Sequence, residues 1–263
     1  MSKRDRDGNT RPKDGGKLAP ALPESRFTPM FVQFRDELDE HHDRKERIVK
    51  VSRDVTALSK KIIFACQRVN KLGQFPQRTQ EEIDTRMEEI RNLLTSIEPD
   101  LATLNRRRYA HTLRGLEELV EALSFVQYLQ RQTLITPEEA ATAVPAGVEL
   151  TEDDYLYGIF DLFGEMMRFA TVTTSQTGQL VGAQDVPVDG GAVKRNILTD
   201  FHELSGVFEV LPEKRDRNYQ SKMEAMRMSV KKVEKLGYGI AIRGSERPKG
   251  WLPDMAEAER AED

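Results

Sequence analysis

Four carboxylates stand at spacings that place them in pairs on two helical faces. Glu118 and Glu121 are three residues apart, and Asp161 and Glu165 are four apart. Asp161 also stands among large apolar residues in the sequence. Like charges at these spacings repel, and a buried carboxylate without a partner is costly, so a cation is the natural compensation. Oxygen-rich sites suit Mg²⁺, Ca²⁺ or Mn²⁺, and two such helices could hold one or two ions in the core of a helical bundle.

A magnesium ion held by carboxylates can orient a water molecule and neutralise charge that develops on a phosphoryl group. The alternative is that these acids are solvated helix faces paired with Lys or Arg, and the residue types alone leave both interpretations open. Gly164, beside Glu165, costs about 1 kcal/mol relative to Ala in a helix interior. We therefore expect a close approach of another group at Gly164.

A second group of charged residues lies near the end of the chain. Arg227, Lys231 and Lys235 are each four residues apart, so they share one helical face. Such a stripe could follow a nucleic-acid backbone without reading bases. With Glu224 and Glu234 nearby, an ordinary solvated helix face is an equally good interpretation.

Most catalytic templates with clear sequence signatures are missing, including nucleotide-binding loops, the nucleophile elbow and the zincin motif. The four histidines are too dispersed for a recognisable zinc site: His41, His42, His111 and His202. The single cysteine, Cys66, cannot form an internal disulfide, which favours a reducing compartment, and its apolar neighbours indicate a small buried hydrophobe.

The elements that must position these residues are helices. Apolar residues recur every three or four positions through a first helix of about forty residues, which needs support along its whole length. Thr136, Pro137 and Glu138 have the pattern of a helix start. Further helices are predicted at about 79–97, 100–133, 151–174, 192–209 and 216–242, with a loop at 175–191. The predicted fold class is all-α: an antiparallel helical bundle of about six or seven helices with a long first helix.

Composition is consistent with this organisation. The 263 residues include 40 Lys and Arg against 44 Asp and Glu, a net charge of −4, which argues against a uniformly basic nucleic-acid binder. No apolar run approaches the ~20 residues needed to span a bilayer, so we expect no membrane association. We predict a disordered basic N-terminal tail at 1–24, which is either a nuclear-import signal or merely solvated. A helical domain at 25–243 and an irregular acidic C-terminal tail at 244–263 would follow.

Several motifs, in order along the chain, resemble the translin family, and within it the members called translin-associated factor X (TRAX). Together they cover roughly residues 30–249. The motifs are HDxxERxVKxSRDxT at 42–56, GLxExVEAxSF at 115–125, DYLxG at 154–158, DLxGExMR at 161–168, VxKVE at 230–234 and IRGSE at 242–246.

The resemblance implies an all-helical bundle that assembles with translin into a closed hetero-octameric shell. In that shell, TRAX is the catalytic subunit of a Mg²⁺-dependent endoribonuclease that trims passenger-strand fragments in RNA silencing and precursor-tRNA fragments. The family's metal-binding carboxylates would fall on Glu118, Glu121, Asp161 and Glu165, the residues singled out above. Translin lacks the full set, notably the aspartate at position 161. The stretch 143–150 is shorter than in animal TRAX chains, which should alter only a loop.

The resulting expectation is a metal-dependent hydrolase that cleaves single-stranded RNA, with single-stranded DNA as a further substrate, and that uses Mg²⁺ or alternatively Mn²⁺. Its partners would be translin subunits, its location the cytoplasm and nucleus, and its nucleic-acid contacts Arg227, Lys231 and Lys235. The alternative is a non-catalytic nucleic-acid-binding scaffold subunit of the same assembly.

Overall fold

A computed structural model describes residues 25–182, 184–188, 191–212 and 214–246, with only the backbone for 184–188, 191–194 and 243–246. The predicted tail at 1–24 and residues 247–263 of the predicted C-terminal tail lie outside this range. The chain divides into two units, residues 1–44 and residues 45–263. In the described part of the first unit, the rings of Phe31 and Phe34 meet edge to face with centroids 6.1 Å apart.

Helices dominate the described residues, so the predicted all-α class is confirmed. One short two-stranded hairpin is the exception. The elements are α1 (Thr28–Cys66), α2 (Gln77–Ile97), α3 (Asn105–Arg108), α4 (Gly115–Arg131), α5 (Pro137–Thr142), α6 (Glu152–Thr177), β1 (Gln184–Val188), β2 (Gly191–Arg195), α7 (Ile197–Glu209) and α8 (Arg217–Glu246). None of the described helices is both long and apolar enough to cross a membrane.

The long first helix is confirmed at 39 residues. From Lys45 onward its predicted apolar seam is buried, and this burial supplies the support that such a long helix needs. The seam consists of Ile48, Val51, Val55, Leu58, Ile62 and Cys66, with Val69 just beyond the helix. The start predicted at Thr136 is also confirmed, because Thr136 and Glu139 form a capping box at the beginning of α5.

The helix predicted over 100–133 is wrong in its first half. Residues 99–112 form two 3₁₀ turns around the short helix α3, and α4 begins only at Gly115. Ala102 is extended and Thr103 has a positive φ of 60°, which a continuous α-helix does not allow. Arg106 anchors this irregular segment, because its Nε donates to the Glu149 carbonyl and its guanidinium pairs with buried Asp154.

The prediction of a loop at 175–191 is also partly wrong. Helix α6 continues to Thr177, and β1 then pairs with β2 in an antiparallel hairpin. Helix α7 accordingly begins at Ile197, five residues later than predicted. The Asn196 side chain accepts hydrogen bonds from the Leu198 and Thr199 amides, which is a helix start that the apolar pattern did not reveal. At the other end, α8 continues to Glu246, so the first three residues of the predicted C-terminal tail are helical.

Helix α6 is the central element, packing against α4 on one side and α8 on another. Helices α4 and α6 approach each other tightly at Gly158. A Cβ atom there would lie 2.6 Å from Val120 Cβ and 2.7 Å from the Glu117 carbonyl oxygen. The prediction of a close approach at Gly164 is wrong, because a Cβ atom at this position would meet nothing within 4 Å.

Candidate functional site

The two predicted carboxylate pairs lie on the adjoining helices α4 and α6. Helix α4 carries Glu118 and Glu121, and α6 carries Asp161 and Glu165. All four are half-buried, with 26% of the Glu118 side chain and 36% of the Asp161 side chain exposed. The large apolar residues beside Asp161 in the sequence occupy the other faces of α6. The pairs therefore lie at a partly open edge of the bundle rather than in its core.

The four carboxylates belong to one electrostatic cluster. The pKa of Glu121 is raised to about 8, first by burial and then by the charges of Asp161, Glu118 and Glu165. Burial also raises the pKa of Glu117, and the Lys222 charge partly offsets this. Glu117 is thus a fifth carboxylate beside the pairs. Its position four residues before Glu121 is the sequence signal that could have identified it.

Neighbouring side chains hold three of the four predicted residues. Lys222 of α8 places its Nζ 2.5 Å from Asp161 Oδ2. Lys60 of α1 places its Nζ 3.6 Å from Glu118 Oε1. From the end of α1, the Gln67 side-chain amide donates to Glu165 Oε2 at 2.8 Å. Lys60, Gln67 and Lys222 were not predicted as site residues, because nothing in local spacing shows which lysine or glutamine of another helix packs against an acid.

The donor set fits a divalent metal in kind and in charge. All four side chains offer hard oxygen ligands. The pKa of Glu121 is raised first by burial and then by the neighbouring carboxylate charges, and a cation would offset the second of these causes. Within the described part of the chain, however, no three Asp, Glu, His or Cys side chains converge closely enough to hold an ion. In this structure Asp161 and Glu118 are engaged by Lys222 and Lys60 instead.

The predicted basic stripe lies on an exposed face of α8. Arg227, Lys231 and Lys235 are all exposed. Arg227 is engaged by Glu209 of α7, with Nε and Nη2 each donating to a carboxylate oxygen at 2.7 Å. This ion pair lowers the pKa of Glu209. A role for the stripe in nucleic-acid binding stays a prediction.

The match to a known protein family spans all residues of the candidate site. The translin family model matches residues 43–244, which include both carboxylate pairs and their lysine neighbours. The chain belongs to the translin family. Similar members of that family include Translin-associated protein X of Mus musculus, 29% identical over 86% of this chain and 82% of that protein. The Schizosaccharomyces pombe homolog is 28% identical over 82% of this chain and 89% of its own length.

Proteins named Translin are also similar to this translin-family chain. The Gallus gallus protein is 27% identical over 82% of this chain and 92% of its own length. Among solved structures, a chain in the crystal structure of apo-NeC3PO superposes with a TM-score of 0.57 at 20% identity. It covers 81% of this chain and 97% of the other. That likeness supports the helical translin-family fold described above.

Proposed function

We propose that this translin-family chain is the catalytic subunit of a translin–TRAX complex that cleaves single-stranded RNA as a Mg²⁺-dependent endoribonuclease. The observation that carries the proposal is the cluster of four carboxylates where α4 and α6 adjoin. The charges of the other three add to burial in raising the pKa of Glu121. The similarity to proteins named Translin-associated protein X supports the coarser part of the proposal, a subunit that associates with translin.

In this proposal Glu118, Glu121, Asp161 and Glu165 hold the metal. Mg²⁺, or alternatively Mn²⁺, would supply a Lewis acid that offsets the charge of the phosphodiester and lowers the pKa of the attacking water. One of the four carboxylates accepts the proton from that water. Lys222 and Lys60 keep the carboxylates in place when no cation offsets their charge.

The proposed partners are translin subunits in a hetero-octamer. The name Translin-associated protein X describes an association with translin for those relatives, and a protein named Translin is similar in sequence over 82% of this chain. The proposed substrates are passenger-strand fragments in RNA silencing and precursor-tRNA fragments, with single-stranded DNA as a further substrate. The proposed location is the cytoplasm and the nucleus.

A cleavage assay tests the catalytic role. The chain is co-expressed with a translin subunit, its assembly is checked by mass, and a labelled single-stranded RNA is incubated with Mg²⁺ or with EDTA. We expect cleavage only with Mg²⁺. The variants Glu118→Ala and Asp161→Ala should assemble normally and lose at least about 100-fold in rate, because several kcal/mol of charge stabilisation disappear. Glu224→Ala, which changes an exposed acid of α8, serves as the matched control.

The second candidate function is a non-catalytic scaffold subunit that retains nucleic acid. The ion pairs of Asp161 with Lys222 and of Glu118 with Lys60 favour it, since carboxylates neutralised by lysines need no metal. In that case the complex would bind RNA through surfaces such as Arg227, Lys231 and Lys235 and show no Mg²⁺-dependent cleavage. Full activity of Asp161→Ala in a contaminant-free preparation would likewise remove the catalytic assignment.

A further inference from the structure

Phe64 is an exposed aromatic residue in a tightly packed part of α1. Its side chain is 57% exposed, whereas Ile62, Ile63, Ala65 and Cys66 around it in the sequence are buried. Large apolar side chains in this half of α1 otherwise face the core. An isolated exposed phenylalanine at such a position offers a free ring face to the solvent.

The position of Phe64 relative to the carboxylates follows from helical spacing. Residues 60, 64 and 67 lie on one face of α1, since they are four and three residues apart. Lys60 contacts Glu118 of α4, and Gln67 contacts Glu165 of α6. Phe64 therefore lies between the two contacts that join α1 to the carboxylate cluster.

The exposed residues of α1 around Phe64 are mainly basic, with Asp54 and Ala57 as the exceptions between residues 53 and 68. Arg53, Lys60 and Lys61 are exposed, and Arg68 one turn further on is exposed and pairs with Glu82 at 2.6 Å. Among the described residues, no ion pair is found for Arg53 or Lys61. A protein-docking surface would require further apolar neighbours on this face. Lys60 is also paired, with Glu118, which leaves Arg53 and Lys61 as the cations of this face without an ion pair. An aromatic ring beside such cations is the arrangement that binds single-stranded nucleic acid, by base stacking and phosphate contacts.

We infer that Phe64 is a stacking platform for a base of single-stranded RNA, with Lys61 contacting an adjacent phosphate and Arg53, three helical turns earlier on α1, contacting one further along the strand. This inference rests on the proposed function in so far as the RNA is its substrate. Stacking at Phe64 holds the strand beside Glu118 and Glu165, so Phe64 positions the substrate and takes no part in the chemical step. Because every base has a π-face, this contact is tolerant of sequence.

Binding and kinetics of three variants test the inference in the complex of the full chain with a translin subunit. A labelled twelve-nucleotide single-stranded RNA is titrated in EDTA, and KM and kcat are measured in Mg²⁺. Phe64→Ala should weaken binding about tenfold or more and raise KM with little change in kcat. Phe64→Leu, which keeps an apolar side chain without a π-face, should resemble Phe64→Ala, whereas Phe64→Trp should retain binding. Phe31→Ala is the matched control, since Phe31 is a 59% exposed phenylalanine that lies 33 positions before Phe64 and outside the proposed RNA contacts.

A spectroscopic measurement reports the stacking directly. Trp251 is the chain's only tryptophan, so a Phe64→Trp and Trp251→Phe double variant places a single reporter at position 64. Its emission, corrected with the complex of Trp251→Phe alone, should be quenched when the RNA is added. Unchanged binding in Phe64→Ala, full binding in Phe64→Leu or absence of quenching would each overturn the inference. So would a loss of assembly with translin in Phe64→Ala, because Phe64 would then lie in a subunit interface.

The two proposals fail separately. If the wild-type complex shows no Mg²⁺-dependent cleavage, the proposed function fails, while binding and quenching in EDTA still decide the role of Phe64. If the wild-type complex cleaves RNA but the Phe64 variants bind and cleave like wild type, the stacking inference fails and the catalytic proposal stands.

Discussion

The single cysteine illustrates how a residue's surroundings set its chemistry. Cys66 at the end of α1 is fully buried. Burial raises the pKa of its thiol from the ordinary 9.0 to about 12, and the charge of Glu165 adds to the effect. The burial of Cys66 confirms its interpretation as a small buried hydrophobe. The raised pKa keeps the reactive thiolate form scarce at neutral pH.

Thiol labelling at pH 8 should therefore separate folded from unfolded protein. We expect native Cys66 to react with a thiol reagent at least about 100-fold more slowly than in denaturant, because both access and thiolate fraction are lower. The pKa of the Cys66 thiol is higher in the folded state than in the unfolded state, so its contribution to the free energy of unfolding is fully present below pH 9.0. That contribution is lost as the pH rises from 9 toward 12. Complete labelling of the native protein within minutes would contradict the burial of Cys66.

At the scale of elements, the crossing of α4 over α6 creates the candidate site. Gly158 removes the side chain that would otherwise separate the two helices at Val120 and Glu117. Asp161 and Glu121 follow within one turn of this contact on their respective helices. The electrostatic coupling of the carboxylates thus depends on a glycine that carries no functional group.

Two glycine substitutions on α6 should have opposite effects on stability. Gly158→Ala should lower the free energy of unfolding by about 1–3 kcal/mol, because its Cβ would overlap Val120 and the backbone of α4. Gly164→Ala should raise it by up to about 1 kcal/mol, because the position is helical and the added methyl meets open space. Urea unfolding at constant m-value measures both, and equal midpoints for the two variants would contradict this packing.

For the molecule as a whole, Asp200 connects elements that are distant in the sequence. This buried carboxylate at the start of α7 accepts hydrogen bonds from the Tyr128 hydroxyl and the Gln132 amide, both 2.7–2.8 Å away, and from Arg195 at the end of β2. Burial and then the Asp200 charge raise the pKa of Tyr128 well above its ordinary value. One side chain thereby joins α4, the hairpin and α7.

Loss of Asp200 should destabilise the fold much more than loss of its exposed neighbour. Asp200→Ala leaves Tyr128 and Gln132 without this acceptor and should lower the free energy of unfolding by about 2–4 kcal/mol. This is less than the cost of breaking a fully buried ion pair, because the partly exposed Arg195 can be rehydrated. Glu203→Ala removes the other, exposed carboxylate bound to Arg195 and should cost less than about 1 kcal/mol. Thermal unfolding compares the two, and similar losses would contradict the structural role of Asp200.

Local signals predicted those parts of the fold that local interactions determine. The seam of α1 repeats every three or four residues over many turns, and Thr136 has the hydrogen-bonding groups of a helix cap. Residues 99–112 contain apolar residues at helical intervals but break at Thr103, whose positive φ is not encoded in its side chain. The hairpin was missed because each of its strands is only five residues long and lacks alternation.

The sequence by itself determined the helical class, the long first helix and the two carboxylate pairs, because periodicity and spacing are properties of single segments. Only the tertiary structure decided that the pairs lie at a partly open edge, that Glu117 stands beside them, and that Lys222, Lys60 and Gln67 hold them. Those contacts join residues up to 98 positions apart. They depend on where helices cross, and here the crossing of α4 and α6 is set by the missing side chain of Gly158.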